Sequence, residues 1–246
     1  MVIRDVCPQC KSPKSKKNGH IHNGKQHHQC KDCGRQFVDG FAQDLVSDET
    51  RGLIERLLLE RLSLRGICRA VGVGRTWLLG FIVTQCEALP DHLNVEPITR
   101  NADIVIQRLE VEADAMASCV QKKANKPWIW LAMDAKSRQI IGLHVGDRRR
   151  KSARKLWANM PTASRRLATF YPDQYVVYVG VIPAAQHQPI GKLARKTHHI
   201  ERFNNTLRQR VSRLVRSALS FSKTLANHIG AIKYFICNYN LLKAKA

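Results

Sequence analysis

Two pairs of cysteines near the N-terminus have the spacing of metal ligands. Cys7 and Cys10 form one C-x-x-C pair, Cys30 and Cys33 form a second, and 19 residues separate the pairs. Two residues between thiols let both sulfurs reach one ion from a tight turn, and two such turns complete a tetrahedral Zn²⁺ site. A pair of redox dithiols is the alternative, but the spacing favours a structural zinc ribbon without a catalytic role.

Three acidic residues in the C-terminal half could bind catalytic metal. Asp114 and Asp173 each end a predicted strand, and Glu201 lies on a predicted helix. Three converging carboxylates repel one another unless divalent cations bind between them, and hard oxygen ligands suit Mg²⁺ or Mn²⁺. Two such ions activate an attacking oxygen and stabilise the leaving oxygen in phosphoryl transfer. The D-D-E order therefore indicates this chemistry, although the spacing alone does not single out these three acids.

Other acids compete for the same role. Asp134 begins a predicted hairpin turn, where aspartate has a structural function, and Asp147 is a second rival. An acid taken singly is more often a surface charge or a helix cap than a catalytic group. The residue pattern by itself leaves the choice among these acids open.

The charge of the chain predicts a polyanionic partner. Among 246 residues, Lys and Arg number 41 and Asp and Glu 19, which gives a net charge of +22. Each cation placed on a phosphate releases condensed counterions, so this surplus suits a nucleic acid. A solvated basic surface or a ribosome-associated protein is the alternative. One of four histidines could replace a cysteine at the zinc, but we expect them to face nucleic acid or solvent: His20, His22, His27 and His28.

Hydropathy predicts a protein with a packed core and no membrane span. Hydrophobic residues make up 44% of the chain, and no run reaches the roughly 18–20 apolar residues that cross a bilayer. The start of the sequence has no secretory hydrophobic region. We therefore expect a reducing cytoplasm, where paired cysteines bind metal rather than form disulfides.

A helix–turn–helix pattern follows the cysteine region. Residues 63–70 and 74–82 are predicted helices, and Gly72 between them suits a turn with positive φ. In the bihelical DNA reader the second helix lies in the major groove. Arg75 and Thr76 at the start of that helix would approach bases or phosphates. An ordinary helical hairpin is the alternative.

The remaining elements predict one α/β unit that must position the acids. The expected strands cover 104–113 and 168–171, a hairpin joins 128–133 to 139–145, and the expected helices cover 151–159, 199–216 and 226–241. Apolar residues at three- and four-residue steps give the 199–216 helix one buried stripe. We expect a zinc ribbon over 1–40, a helix-turn-helix domain over 47–86, a linker over 87–103 and a catalytic domain over 104–246.

Several runs of sequence resemble a known family. The runs at 128–142, 175–178, 195–210 and 219–223, above all Ile200-Glu-Arg-Phe-Asn-Asn-Thr-Leu-Arg208, are similar to the InsAB-type transposases of the insertion sequence one family. The ribbon and the helix–turn–helix match its InsA-like part, and residues from about 104 onward match its InsB-like part.

The resemblance implies a fold and an activity. It implies an RNase H-like DDE domain in which Asp114, Asp173 and Glu201 bind Mg²⁺ or Mn²⁺. It also implies recognition of terminal inverted repeats, followed by cleavage and transfer of DNA strands into a target. We expect a homo-oligomer in the complex with double-stranded DNA. Three arginines near the glutamate would hold phosphates, or would only solvate the helix: Arg202, Arg208 and Arg210.

The sequence departs from the family pattern near the two aspartates. The changed positions are Ala115, Ala117, Cys119, Pro172 and Val179. If Ala117, where tryptophan is usual, were buried, the void would cost roughly 3–5 kcal/mol. Two other hypotheses therefore stand beside an active transposase: a catalytically inactive DNA-binding derivative, and a structure-selective nuclease on the same fold.

Overall fold

The computed structural model describes residues 6–22, 24–38, 46–95, 110–120, 126–172, 176–188, 197–214 and 222–245. The chain divides into two compact units, Met1–Glu49 and Thr50–Ala246. Asp173 lies outside the described residues, as do residues 104–109 of the first predicted strand and residues 96–103 of the predicted linker.

The N-terminal unit contains a small antiparallel sheet. Its strands are β1 (Ser15–His20), β2 (Gln26–Cys30) and β3 (Gln36–Val38), in that order. Among the described residues of this unit, the buried apolar ones are few: Cys7, Cys30 and Phe37. So small a core cannot hold a fold by itself, and a metal is the usual additional support at this size.

Three helices follow the small sheet in the sequence, and the first of them begins two residues before the second unit. They are α1 (Asp48–Leu57), α2 (Leu64–Val71) and α3 (Arg75–Glu87). Ser63 caps α2 by accepting the Gly66 N–H at 3.0 Å, as short polar side chains do at helix starts. Gly72 ends α2 with φ of 73°, so the turn uses the conformation that glycine permits. The helix α3 continues to Glu87 rather than ending near residue 82.

A four-stranded mixed sheet forms the centre of this unit. Its strands are β4 (Glu110–Ala117), β5 (Trp128–Asp134), β6 (Ile140–Gly146) and β7 (Thr169–Pro172), in the order β6-β5-β4-β7. The first three are antiparallel neighbours, and β7 runs parallel to β4. The predicted hairpin is confirmed as the β5–β6 pair.

Helices cover both faces of this sheet. They are α4 (Arg150–Asn159), α5 (Thr162–Leu167), α6 (His198–Arg210) and α7 (Leu225–Ala244). Ile129, Leu131 and Met133 of β5 belong to one core cluster with α6 and α7. Trp130 and Ala132, which alternate with them, belong to a second cluster with α4. The strand is therefore buried on both faces, as in other α/β sheets.

Two predicted element ends were wrong. Asp114 does not end its strand, because β4 continues to Ala117 opposite Trp128 of β5. The helix α6 ends at Arg210, not near residue 216, because Val211 takes an extended conformation with φ of −82° and ψ of 105°. Val211 is 5% exposed, so its side chain joins the core where the helix stops.

None of the described helices is long and apolar enough by itself to cross a bilayer; α2 and α3 together meet a criterion of length and composition, but they are bent by 113°.

Candidate active site and metal site

Two carboxylates on β4 point towards the helix α6. Glu112 and Asp114 are two residues apart, so they lie on the same face of the strand. Asp114 accepts the Ala115 N–H on Oδ1 at 2.7 Å and the Asn204 amide on Oδ2 at 2.6 Å. Glu112, which is 2% exposed, accepts the Ile200 N–H on Oε2 at 2.8 Å. Both oxygens of Asp114 are therefore held by hydrogen bonds.

The two attachments of α6 match the spacing of the strand. Ile200 and Asn204 are four residues apart, which is about 6 Å along a helix. Glu112 and Asp114 are two residues apart, which is about 6.8 Å along a strand. Because these distances nearly agree, the hydrogen bonds fix the position of α6 along β4. Glu201 lies between the two attachments.

Glu201 is exposed and close enough to Asp114 to affect its charge. Its Oε1 accepts a hydrogen bond from Thr197 Oγ1 at 3.1 Å. Burial raises the pKa of the Asp114 carboxyl, and the negative charge of Glu201 raises it further, while the Ala115 N–H, Asn204 and Arg208 lower it. The structure thus brings two of the three predicted acids together.

The third predicted acid, Asp173, follows the strand β7, which pairs with β4 beside Asp114. Strands β4 and β7 pair in parallel, with Glu112 opposite Tyr171 and Ala113 opposite Pro172. Asp173 is the next residue after Pro172 in the sequence. Its side chain lies outside the described residues, so its assignment stays a prediction.

Both rival acids have structural partners. Asp134 Oδ2 accepts hydrogen bonds from the backbone and the hydroxyl of Ser137, at 2.8 and 2.6 Å. Asp147 Oδ1 accepts the Arg149 N–H at 3.1 Å and the Ser152 hydroxyl at 2.6 Å, and the Ser152 bond is the largest cause of its lowered pKa. These contacts close a turn and begin α4.

The three arginines near Glu201 differ in their surroundings. Arg202 is exposed, and Arg208 is half-buried on the side of Asp114. Arg210 forms an ion pair with Glu60, and its guanidinium lies 5.5 Å from the centroid of the Phe235 ring. Arg210 would have to leave this pair to hold a phosphate, so Arg202 and Arg208 are the better placed of the three.

The departures from the family pattern disturb the structure less than their positions suggest. Ala115 is half-buried and supports Asp114 through its backbone N–H, which any residue except proline supplies. Ala117 is exposed, so the condition under which a void was expected at this residue is not met. Val179 is 51% exposed. Pro172 is buried at the end of β7.

Glu112 was not selected from the sequence, and the bond of Asn204 to Asp114 was not predicted. The alternation Glu112-Ala-Asp114 on one strand was the available signal, since it places both acids on one face. Asn204 lies three residues after Glu201, which indicates a shared face of the helix. Neither pattern reveals that the helix docks on this strand.

Glu112 also lies near two histidines. Ligand atoms of Glu112, His198 and His199 are all within 4.8 Å of one another, a spacing that could hold a metal ion. However, Glu112 already accepts the Ile200 N–H at the positive end of α6. Burial, then the charge of Arg138, lowers the pKa of His199. These positive surroundings favour a helix cap over a cation site.

The four cysteines of the N-terminal unit form a separate cluster. The Sγ atoms of Cys7 and Cys33 are 3.5 Å apart, as are those of Cys10 and Cys30. A tetrahedron of sulfurs around zinc, with Zn–S of ~2.3 Å, has edges of about 3.8 Å. A backbone hydrogen bond from Cys10 lowers the pKa of the Cys7 thiol to about 6, and a backbone hydrogen bond from Cys33 lowers that of Cys30. The pKa values of Cys10 and Cys33 are raised instead, because their thiols share hydrogen bonds with the other two, so a bound cation would be needed to hold all four as thiolates. The cluster is compatible with a zinc ribbon.

The predicted groove-reading residues begin α3. Arg75 and Thr76 are both exposed. Leu78 is buried, and Trp77 stacks on Phe81 with ring centroids 5.2 Å apart, so the opposite side of the helix packs inward. The helix therefore has an accessible N-terminal end.

Comparison with known proteins gives the family. Residues 108–241 match the family described as IS1 transposase. The chain is 32% identical over 125 residues to the insertion element iso-IS1n protein InsB of Shigella dysenteriae, covering 51% of this chain and 92% of that protein. It is 28% identical over 130 residues to the insertion element IS1 protein InsB of Shigella sonnei, covering 51% of this chain and 92% of the relative. The chain therefore belongs to the IS1 transposase family.

Proposed function

We propose that this transposase is a DDE-type enzyme that binds the terminal inverted repeats of its insertion sequence and catalyses metal-dependent strand cleavage and strand transfer. The docking of α6 on β4 carries the proposal, because it holds Glu201 near Asp114. Family membership favours an active enzyme over an inactive DNA-binding derivative.

We further propose that the catalytic domain is RNase H-like and that Asp173 completes the site. The mixed sheet with helices on both faces is compatible with that fold. The parallel register of β4 and β7 supports the role of Asp173, because the residue after Pro172 follows the strand that pairs beside Asp114.

The surroundings of Asp114 fit a divalent cation. Its charged form is disfavoured by burial and by the nearby charge of Glu201, and a cation between the two carboxylates would relieve both effects. Asp114, Asp173 and Glu201 would hold Mg²⁺ or Mn²⁺, since their oxygens are hard ligands. Bound there, the ions would supply activation of the attacking oxygen and stabilisation of the leaving oxygen.

The residues of the chain itself would prepare this site. Asn204 and the Ala115 N–H fix the orientation of the Asp114 carboxylate, and Thr197 restrains Glu201. Arg208 lies near enough to lower the pKa of Asp114, so it would also attract the phosphate that reacts. Water would hydrolyse a phosphodiester at each end of the element to a 3′-hydroxyl and a 5′-phosphate. The 3′-hydroxyl would then attack a phosphodiester of the target DNA and displace the 3′-oxygen of the target strand.

DNA recognition would come from the N-terminal half of the chain. The helices α2 and α3 have the order and the glycine turn of a helix-turn-helix, with Arg75 and Thr76 exposed to read the groove. A zinc-bound ribbon would add phosphate contacts. Because the proposed reaction acts at two element ends, we expect a homo-oligomer in the DNA complex, and the expected location is the bacterial nucleoid.

Isosteric variants test the assignment of the acids. Asp114→Asn and Glu201→Gln should each abolish nicking of a duplex that carries the element's own end, because each removes a metal ligand, and both should leave DNA binding intact. Asp134→Asn is the matched control, since its carboxylate closes a turn. Nicking that survives Glu201→Gln, or that depends on Asp134, would refute the assignment.

A further inference from the structure

A dense group of cations begins the helix α4. Six of the eight residues from 148 to 155 are Arg or Lys, and all six are exposed. We call this group the α4 cationic face; it comprises Arg148, Arg149, Arg150, Lys151, Arg154 and Lys155. The intervening Ser152 and Ala153 are buried, together with Leu156, and they attach the helix to the sheet. The charged side chains therefore point away from the core.

The one neighbouring acid, Asp147, interacts with the charges of Arg149 and Lys151, but a single carboxylate cannot balance six cations. Asp147 is used to begin α4, because its Oδ1 accepts the Arg149 N–H and the Ser152 hydroxyl. Within the described parts of the chain, no ion pair joins the side chain of Arg149, Arg150, Lys151, Arg154 or Lys155 to a carboxylate. Arg148 lies over the Trp128 ring, 4.3 Å from its centroid.

These cations lie where they destabilise α4 as long as no anion is bound. The N-terminus of a helix carries partial positive charge, so cations there are unfavourable and anions are favourable. The first turn of α4 contains no acid, and its last turn contains no base. Like charges four residues apart also repel, as in the pair Arg150 and Arg154 and the pair Lys151 and Lys155. An anion bound on this face would relieve both effects.

The helices α1 and α6 have the opposite, stabilising order, whereas α3 begins with Arg75 and ends with Glu87. The helix α1 begins with Asp48 and Glu49 and has Arg56 in its last turn. The helix α6 has Glu201 in its first turn and Arg208 in its last. The reversed order in α4 is therefore not a general consequence of a basic composition, and it indicates a function that needs cations at this place.

We propose that the α4 cationic face is a second DNA-binding surface, which holds the phosphodiester backbone of duplex DNA. The inference rests on the proposed function, and it adds a surface apart from the helix-turn-helix. The helix α4 packs on the face of the sheet opposite α6, so this surface is also distinct from the side that carries Glu201. Contacts from cations to phosphates carry no base information. The binding is therefore independent of sequence and serves the element end or the target duplex.

The double variant Arg150→Gln with Lys151→Gln separates this role from a merely solvated surface. Loss of two phosphate contacts should lower the slope of log affinity against log salt by about 2 and weaken binding roughly tenfold at moderate salt. The same variant should melt a few degrees higher without DNA, because unfavourable charges leave the helix start. Affinity is measured by fluorescence anisotropy and melting by calorimetry.

Lys243→Gln with Lys245→Gln is the matched control, because these lysines lie at the end of α7, where cations are favourable. It should melt slightly lower and bind DNA as before. If the α4 variant loses affinity equally for an element end and for a random duplex, the result supports a surface that binds both the element end and the target DNA. Loss confined to capture of a random target by the end-bound protein assigns the surface to the target.

Unchanged affinity and salt slope in the α4 variant would overturn the inference, even if the melting temperature rises. Failure of the wild-type protein to bind any duplex would instead refute the proposed function. The two failures are therefore distinguishable in one set of titrations.

Discussion

Asn204 donates a hydrogen bond from Nδ2 to Oδ2 of Asp114 across 2.6 Å. This bond joins the helix that carries Glu201 to the strand that carries Asp114. Asn204 is 5% exposed, and its Oδ1 has no hydrogen-bond partner among the described residues. A buried amide with one unused acceptor is costly, so the bond to Asp114 is the interaction that explains an asparagine at this position.

Removal of the Asn204 amide should reduce cleavage without loss of DNA binding. In Asn204→Ala the carboxylate of Asp114 loses one of its two hydrogen bonds, and an offset of about 1 Å in a ligand can reduce the rate on the order of a hundredfold. The concentration of Mn²⁺ needed for half-maximal nicking should rise, which a purely structural role would not cause.

Asn205→Ala is the control for this change, because Asn205 is adjacent and exposed. It should leave the rate and the Mn²⁺ dependence within about twofold. An Asn204→Ala protein with the Mn²⁺ dependence of the wild type would show that the amide does not orient the carboxylate.

Glu112 should stabilise the fold as a hydrogen-bond acceptor rather than as a charge. Burial raises the pKa of its carboxyl, so the charged form is disfavoured, yet Oε2 accepts the Ile200 N–H. Glu112→Gln keeps an acceptor and should leave the free energy of unfolding unchanged or higher. Glu112→Ala leaves a buried N–H without a partner and should lower it by about 1–3 kcal/mol.

Urea denaturation measures both Glu112 variants. Equal destabilisation by Gln and Ala would mean that the negative charge itself is needed. A metal bound by Glu112 and the adjacent histidines would be one such reason, and added Zn²⁺ would then stabilise the wild type but not the Gln variant.

The N-terminal unit should depend on one zinc ion. Cys30→Ser removes a thiolate ligand. Because metal binding and folding are coupled at such a site, residues 1–40 should unfold while the unit with the four-stranded sheet stays folded. Cys86→Ser, at a cysteine outside the cluster, should retain the metal. Elemental analysis and limited proteolysis provide the readouts; wild-type protein without zinc, purified free of chelators, would refute the site.

His228 should make stability depend on pH. It is fully buried, with Nε2 3.0 Å from Ser118 Oγ, and burial lowers its pKa from 6.5 to about 4. Between these values the unfolded chain binds a proton that the folded chain does not, so the free energy of unfolding falls as the pH drops from 6.5 towards 4. The full loss is on the order of 3 kcal/mol.

Replacement of His228 isolates this effect. His228→Gln should flatten the pH dependence over that window, whereas His92→Gln, at an exposed histidine, should not. Parallel curves for wild type and His228→Gln would mean that His228 is not the group responsible. Chemical denaturation at half-unit steps of pH gives the comparison.

Local patterns predicted the elements better than their ends. The polar turn at Asp134, with a predicted strand on each side, located the β5–β6 hairpin, and the glycine at 72 located the turn between α2 and α3. The end of α6 depends on Val211 entering the core, which is a tertiary effect that helical periodicity does not contain. In the same way, the strand of Asp114 continues because β5 pairs with it.

The sequence predicted the acids of the site but not the residues that hold them in position. Acid scarcity and family resemblance selected Asp114 and Glu201, which the structure brings together. Glu112 bonds to Ile200, 88 residues further along the chain, and Asn204 bonds to Asp114, 90 residues before it. Such contacts follow from the docking of α6 on β4, and no local pattern specifies it.

The most direct measurement of the central claim is nicking of a labelled duplex that carries the element's own terminal repeat and flanking DNA. With Mn²⁺, the wild-type protein should cut at the junction of element and flank, leave a 3′-hydroxyl, and lose this activity on chelation and in Glu201→Gln. A wild-type protein that binds the terminal repeat but cuts no strand with Mn²⁺ or Mg²⁺ would contradict the claim.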